Sequence, residues 1–259
     1  MPTPNGPGSL NITGRIGPAI LPALAAALIL AGCGKSADGD GEAVQRVDPA
    51  AYDSFFLWAG VRPPPLLERA RTVYILAGEV RARDNSRFVP LRPQAPRADH
   101  AAIWLVLRVE RLDWQPAVTE QMMRELARWE AAGARVEGIQ IDFDSGTIHL
   151  DRYAGFLSEL RAKIPARYKL SVTGLMDWSA NGDPAALKQL GAVIDEIVVQ
   201  TYQGRTTIAG YEGYLASLSR IGMPYRVALV EDGEWQAPEG LAADPNFKGY
   251  VVFLLPRGG

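Results

Sequence analysis

Asp142 and Asp144 stand two residues apart at the end of an alternating run, Val136-Glu137-Gly138-Ile139-Gln140-Ile141-Asp142-Phe143-Asp144. In a β-strand the side-chain period is two, so Ile139, Ile141 and Phe143 point one way while Gln140, Asp142 and Asp144 point the other. Two such carboxyls suit glycoside cleavage, in which a protonated acid donates to the leaving oxygen while a second charge or nucleophile stands by the anomeric carbon. Like-charge repulsion on one strand would raise one of the two pKa values, poising Asp144 as the acid while Asp142 stays ionised. The same pair also fits binding without turnover, a structural hydrogen-bonding ladder inside a barrel, or a Ca²⁺ or Mg²⁺ site, although no Asp/Asn-rich calcium loop surrounds it.

The pair needs a scaffold. From Tyr52 onward about eight apolar, β-rich runs follow one another: Ser54–Ala59, Thr72–Ala77, Ala102–Val109, Glu137–Phe143, Tyr168–Thr173, Glu196–Tyr202, Tyr225–Val230 and Gly249–Leu255. Helical spacing appears between several of them, in Val118, Met122, Leu126 and Trp129, and again in Tyr153, Leu157, Leu160 and Ile164. Asp183-Pro184 reads as an N-cap followed by proline at the first helical position, and a further helix carries Tyr211, Tyr214, Leu215 and Leu218. This alternation predicts an α/β fold, a (β/α)8 TIM-like barrel. It is irregular where helices are weak, in the Pro- and Arg-rich stretch 81–99 and between the seventh and eighth strands. The competing architecture, an open doubly wound sheet, lacks a Gly-rich nucleotide turn after an early strand.

In such barrels the C-terminal strand ends build the site. There the chain places Trp58 on the first strand, Arg108 and Glu110 on the third with Trp104 on the same face, and Gln140, Asp142 and Asp144 on the fourth. Asp177 and Trp178 follow the fifth, Gln200 and Tyr202 share a face of the sixth, and Glu231, Asp232, Glu234 and Trp235 follow the seventh. Rings beside carboxylates and amides suit a sugar, whose C–H faces stack while its hydroxyls exchange hydrogen bonds. His149 near Ser145 and Asp151 lacks a G-x-S-x-G elbow and reads as a surface or capping residue. His100 has no evident acid partner. Arg81, Arg83, Arg87, Arg92 and Arg97 in the long loop read as solvated, with contact to anionic headgroups or an acidic glycan as the alternative.

Composition narrows the function classes. The 259 residues are 47% hydrophobic, enough for one sizeable core, and the net charge of −2 with scattered Lys and Arg provides no stripe for a nucleic-acid backbone. Two histidines and one cysteine exclude a Cys-rich zinc site and a disulfide framework. No cofactor or metal is expected. The single cysteine ends the apolar run 19–31 in Leu30-Ala31-Gly32-Cys33, which resembles the lipobox of bacterial lipoproteins. That run is short of the about 20 residues a membrane span needs. The reading divides the chain into a signal peptide over 1–32, a tether over 33–50 and a barrel domain over 51–259. It makes Cys33 a lipidated anchor, with the barrel at the cell envelope, on the outer membrane facing the periplasm because Gly34 and not Asp follows the cysteine. An uncleaved anchor helix is the alternative.

Several longer stretches resemble a known family. Gly138-Ile139-Gln140-Ile141-Asp142-Phe143-Asp144, Leu170-Ser171-Val172-Thr173-Gly174-Leu175, Asp177-Trp178, Asp195 through Arg205 and the closing Gly249 through Pro256 together resemble a bacterial domain of unknown function, number 3142. That name implies no activity. The fourth strand is also distantly similar to family 18 chitinases, which carry D-G-φ-D-φ-D-φ-E (φ apolar) where this chain has Glu137 through Asp144. The resemblance implies Asp144 at the general-acid position, Asp142 orienting a substrate acetamido group, and Tyr202 hydrogen-bonding it, with Gln200 two residues before. Asp144 is one methylene shorter than the family's Glu, a retreat of about 1 Å in chemistry where that can cost about a hundredfold. Gln140 lacks the charge of the family's Asp. The expected function is an exported, lipid-anchored, glycoside-hydrolase-like protein acting on an envelope or extracellular glycan; the alternative is a carbohydrate-binding or envelope lipoprotein that keeps the cleft without catalysis.

Overall fold

The computed structural model describes residues 45–94 and 100–256. Eight parallel strands close on themselves: β1 (Ser54–Leu57), β2 (Thr72–Val80), β3 (Ala102–Val109), β4 (Val136–Asp142), β5 (Lys169–Leu175), β6 (Glu196–Gln200), β7 (Tyr225–Val230) and β8 (Phe247–Phe253). Each strand pairs with its sequence neighbours, and β8 returns to β1 with Val252 and Phe253 opposite Phe55 and Phe56. Closure satisfies both edges of every barrel strand and gives the expected TIM-like barrel.

Alternation along the strands sorts side chains into two cores. Outward-facing Ile75, Leu105, Ile139, Ile141, Val172 and Ile197 pack under the helices. Inward-facing Phe56, Tyr74, Trp104, Val106, Val198, Ala228 and Val251 fill the barrel. Burying each large aliphatic side chain contributes about 2 kcal/mol. Helix α1 (Pro116–Ala131) buries the predicted stripe Val118, Met122, Leu126 and Trp129, and stops at Gly133, whose φ of +93° suits glycine. Helix α2 (Leu150–Arg161) buries Tyr153, Leu157 and Leu160, with Ile164 buried just beyond its end. After the short α3 (Trp178–Asn181), α4 (Pro184–Gly191) is capped as expected, Asp183 accepting from Ala186 N at 2.8 Å. The predicted helix through Leu218 breaks into α5 (Tyr211–Leu215) and a 3-10 turn over Leu218–Ile221.

Three connections lack α-helices among the described residues: β1–β2, which carries only a 3-10 turn over Pro65–Arg69, and the two where the sequence implies weak helices. Between β2 and β3, Val89–Pro90 pairs antiparallel with Gly78 and Glu79. Between β7 and β8, Glu234–Trp235 pairs with Gln45–Arg46, and Val47 is buried. The folded body therefore already includes residues 45–50, which the sequence assigned to the tether. Cys33, the stretch 1–32 expected to be a signal peptide, and Arg97 lie outside the described residues. Arg92 is not solvated: it is half-buried and donates to three backbone carbonyls. No described helix is long and apolar enough to cross a membrane.

Beneath the mouth, the barrel interior is polar on one side. The Tyr74 hydroxyl donates to the Glu196 carboxylate, which also accepts from Arg226 Nε at 3.2 Å, and Gln140 Nε2 donates to Ser171 Oγ at 3.3 Å. Trp104 stacks on Tyr74 with centroids 5.6 Å apart, and Gly138 faces the pair from β4. A Cβ at Gly138 would lie 2.2 Å from the Lys169 carbonyl oxygen and 2.8 Å from the Trp104 ring. Gly138→Ala is therefore expected to cost about 2 kcal/mol by urea unfolding; an unchanged midpoint would show that the β4–β5 contact yields freely.

Candidate functional site

At the mouth, the C-terminal strand ends enclose a cleft of about 330 Å³. One wall is aromatic, made by Phe56, Trp58, Tyr202 and Phe253, with Trp58 and Phe253 centroids 5.5 Å apart and Tyr202 and Phe253 5.3 Å apart. Glu79, Arg108, Asp142, Thr173 and Gln200 make the other. Parallel register puts Arg108 opposite Asp142, one strand away. Its Nη1 donates to Asp142 Oδ2 at 3.0 Å and to Asp144 Oδ1 at 3.4 Å, while Nη2 donates to Asp144 Oδ2 at 2.5 Å. A single guanidinium thus bridges both carboxylates, with the two-pronged fit to Asp144 that makes such pairs strong.

The two acids differ in environment. The Asp142 side chain is 7% exposed and lines the cleft, whereas that of Asp144 is 59% exposed and stands at the rim. Burial pushes the Asp142 carboxyl above the ordinary aspartate range, against the opposing pull of Arg108 and a hydrogen bond with Thr173. The sequence assigns the raised pKa to Asp144 through mutual repulsion; the structure gives it to Asp142 through burial, with the charge of Asp144 a minor contribution. Arg108 is disfavoured by burial, but the two carboxylates outweigh that and hold it charged. Burial, then the charge of Asp142, pushes the Tyr202 hydroxyl well up, so it is a neutral hydrogen-bonding group.

Of the residues proposed from sequence, Trp58, Arg108, Asp142, Gln200 and Tyr202 meet in this cleft. Gln200 Nε2 is turned toward the Tyr202 carbonyl at 2.7 Å. The others lie elsewhere. Gln140 is fully buried one layer below, with its Oε1 unpartnered among the described residues. Trp178 is buried in the helical jacket, donating to the Ser145 carbonyl at 2.9 Å, and burial raises the neighbouring Asp177 carboxyl. Trp235 stacks on Tyr211 outside the barrel, with centroids 4.6 Å apart. Glu231 accepts from Leu255 N at 2.8 Å beside a separate depression formed with Pro63, Pro64 and Leu254. His149 is exposed, and Ser145 turns its hydroxyl to the Gly146 carbonyl at 3.4 Å, so no triad forms.

Glu79, Thr173, Phe253 and Phe56 were missed. Thr173 and Phe253 keep the parity of their strands with Ser171 and Val251 and were legible on that basis. Glu79 was not: the register slips between Leu76 and Gly78, which turns an apparently outward residue into the cleft. Among the described residues no group of three or more His, Cys, Asp or Glu is placed to hold a metal ion.

Because the folded chain binds the Asp142 proton more tightly than the unfolded chain, stability should fall as pH rises from about 3.9 through the raised folded-state midpoint. Asp142→Asn removes that titration. Urea unfolding between pH 4 and 7 should therefore show the wild type losing ground to the variant as pH increases; a constant difference would contradict the burial argument.

No curated protein matches the chain. Among solved structures, a xylanase and α-amylase inhibitor protein, form III, superposes with a TM-score of 0.52 at 11% identity, over 78% of this chain and 93% of that one. Form I, crystallised with trehalose, gives 0.51 at 10% identity over 77% and 92%. The spore cortex-lytic enzyme SleL of Bacillus cereus gives 0.46 at 16% identity over 68% of this chain, which spans 50% of that enzyme. At these identities the likeness is one of fold. Residues 95–211, from the approach to β3 through the start of α5, match the model of a family described as a domain of unknown function (DUF3142).

Proposed function

We propose that the barrel mouth is a carbohydrate-binding cleft that holds its sugar without hydrolysing it. The observation that carries this reading is Arg108 bonded to both carboxylates at once. Glycoside cleavage needs a protonated carboxyl aimed at the leaving oxygen. Asp144 instead accepts from the guanidinium on both oxygens and stands outside the cleft lining. What remains fits recognition. Trp58 and Phe253 offer faces for the C–H side of a sugar ring, and Asp142, Thr173, Gln200 and Arg108 offer donors and acceptors for its hydroxyls. The solved relative captured with trehalose is consistent with that chemistry on this fold.

One observation favours a second reading, a slow glycosidase: the buried Asp142 carboxyl holds its proton to higher pH than an ordinary aspartate and lies within the cleft. Calorimetric titration with oligosaccharides of chitin, xylan, starch and peptidoglycan type, followed by reducing-end analysis, separates the two. Binding reduced about tenfold or more by Trp58→Ala, unaltered in kind by Asp144→Asn and without product, is the expected result. Reducing ends that disappear in Asp142→Asn would establish the glycosidase.

We further propose that the barrel is exported and lipid-anchored at Cys33, on the strength of Leu30-Ala31-Gly32-Cys33. Expressed in a bacterium fed an alkynyl fatty acid, the protein should take up label that Cys33→Ser loses; equal labelling of both would refute the anchor.

A further inference from the structure

The strand carrying Trp58 runs out of partners before it reaches Trp58. Pairing of β1 with β2 ends at Leu57 and Ile75, and pairing of β8 with β1 ends at Phe253 and Phe56. The Trp58 carbonyl thus lies beyond the ladder and that of Leu57 at its last paired position, at the mouth, where buried backbone oxygens need donors. Arg92 supplies them. From the β2–β3 connection its Nη2 donates to Trp58 O at 2.5 Å and to Leu57 O at 3.2 Å, and its Nε donates to Leu76 O at 3.3 Å, beside the slip in β2. Trp58 O also accepts from Val61 N at 3.2 Å, so the same oxygen fixes the turn that follows.

Arg92 is itself held from outside the barrel. Leu91 N donates to Ala77 O at 2.8 Å. Arg128 of α1 donates through Nη2 to Arg92 O at 3.1 Å and through Nη1 to Pro93 O at 2.7 Å. Arg128 Nε in turn donates to Glu125 Oε2 at 2.9 Å, and the buried Glu125 also accepts from Trp129 Nε1 at 2.8 Å in the helix core. The chain of contacts runs from the packed face of α1 to the aromatic wall of the cleft, and it uses the fork geometry of guanidinium at each step, which an ammonium cannot copy.

We propose that Arg92 is a positioning residue of the cleft, pinning the backbone of Trp58, and that Arg128, anchored on Glu125, pins Arg92. The effect on ligand rests on the carbohydrate reading; the placement of Trp58 does not. The test therefore reads both. Protein labelled with 5-fluorotryptophan is followed by ¹⁹F NMR, the Trp58 resonance being assigned by its loss in Trp58→Phe, and binding of chitotetraose is titrated alongside thermal unfolding.

In Arg92→Ala the Trp58 resonance should broaden or split while those of the buried Trp104 and Trp178 stay in place, and chitotetraose should bind about tenfold more weakly. Arg92→Lys should restore part of the sharp line and part of the affinity. Arg128→Ala, which leaves Arg92 in the chain, should move the Trp58 resonance in the same direction and serves if Arg92→Ala does not fold. An unmoved Trp58 resonance in the folded variants would overturn the proposal. A displaced resonance in a protein whose wild type binds no chitotetraose would keep Arg92 as the positioning residue and count against the sugar chosen.

Discussion

The structure turns on one guanidinium. A carboxylate as buried as Asp142 is expensive unless a positive partner and hydrogen bonds accompany it. Arg108 is that partner, delivered from the neighbouring strand by a register that sets the two residues side by side. The register is not free to slip, because the same alternation that turns Arg108 and Asp142 inward turns Leu107 and Ile141 outward into the helical core, and a one-residue shift would exchange the two sets. Barrel closure, the apolar jacket and the salt bridge are therefore one constraint seen at three levels. Removing Arg108 would leave Asp142 buried without its cation, whereas removing Asp144 would leave Arg108 still paired.

The barrel interior divides along its axis into an aromatic side and a polar side. Phe56, Tyr74, Trp104 and Phe253 come from β1, β2, β3 and β8, while Gln140, Asp142, Ser171, Thr173, Glu196 and Gln200 come from β4, β5 and β6. At the mouth Glu79 and Arg108 join the polar side from β2 and β3 and Tyr202 joins the rings from beyond β6, giving a cleft with one wall for stacking and one for hydrogen bonding, while deeper down Tyr74, Glu196 and Arg226 are in contact. The aromatic wall is the less secure of the two, since Trp58 lies past its last strand pairing and depends on a side chain from a loop. Its placement rests on Arg92 and α1.

Much of this was legible in the chain. Ala102–Val109 and Tyr225–Val230 are strands over the same residues that their apolar runs mark, and the Asp183-Pro184 cap and the α1 stripe follow from local rules alone. Five of the residues singled out do meet in the cleft, because strand order and parity suffice to locate a residue at a barrel mouth. Parity failed at Glu79, where a bulge inverts it, and adjacency failed at Trp178 and Trp235, where the chain has already turned outward onto the jacket after leaving its strand. Arg92 was hidden for a different reason. Its partners are backbone carbonyls on two other strands, and nothing in residue type or spacing marks which loop arginine will reach them. The relative burial of Asp142 and Asp144 was likewise invisible, since alternation assigns both to one face and is silent about depth.

A crystal structure of the protein grown with chitotetraose addresses the central claim most directly. If the cleft holds sugar without cleaving it, an intact oligosaccharide will lie with a ring on Trp58 and its hydroxyls toward Asp142, Thr173 and Gln200, and Arg108 will still bond both Asp142 and Asp144. Density for a shortened sugar, with Arg108 swung away and a carboxyl of Asp142 or Asp144 on the glycosidic oxygen, would contradict it.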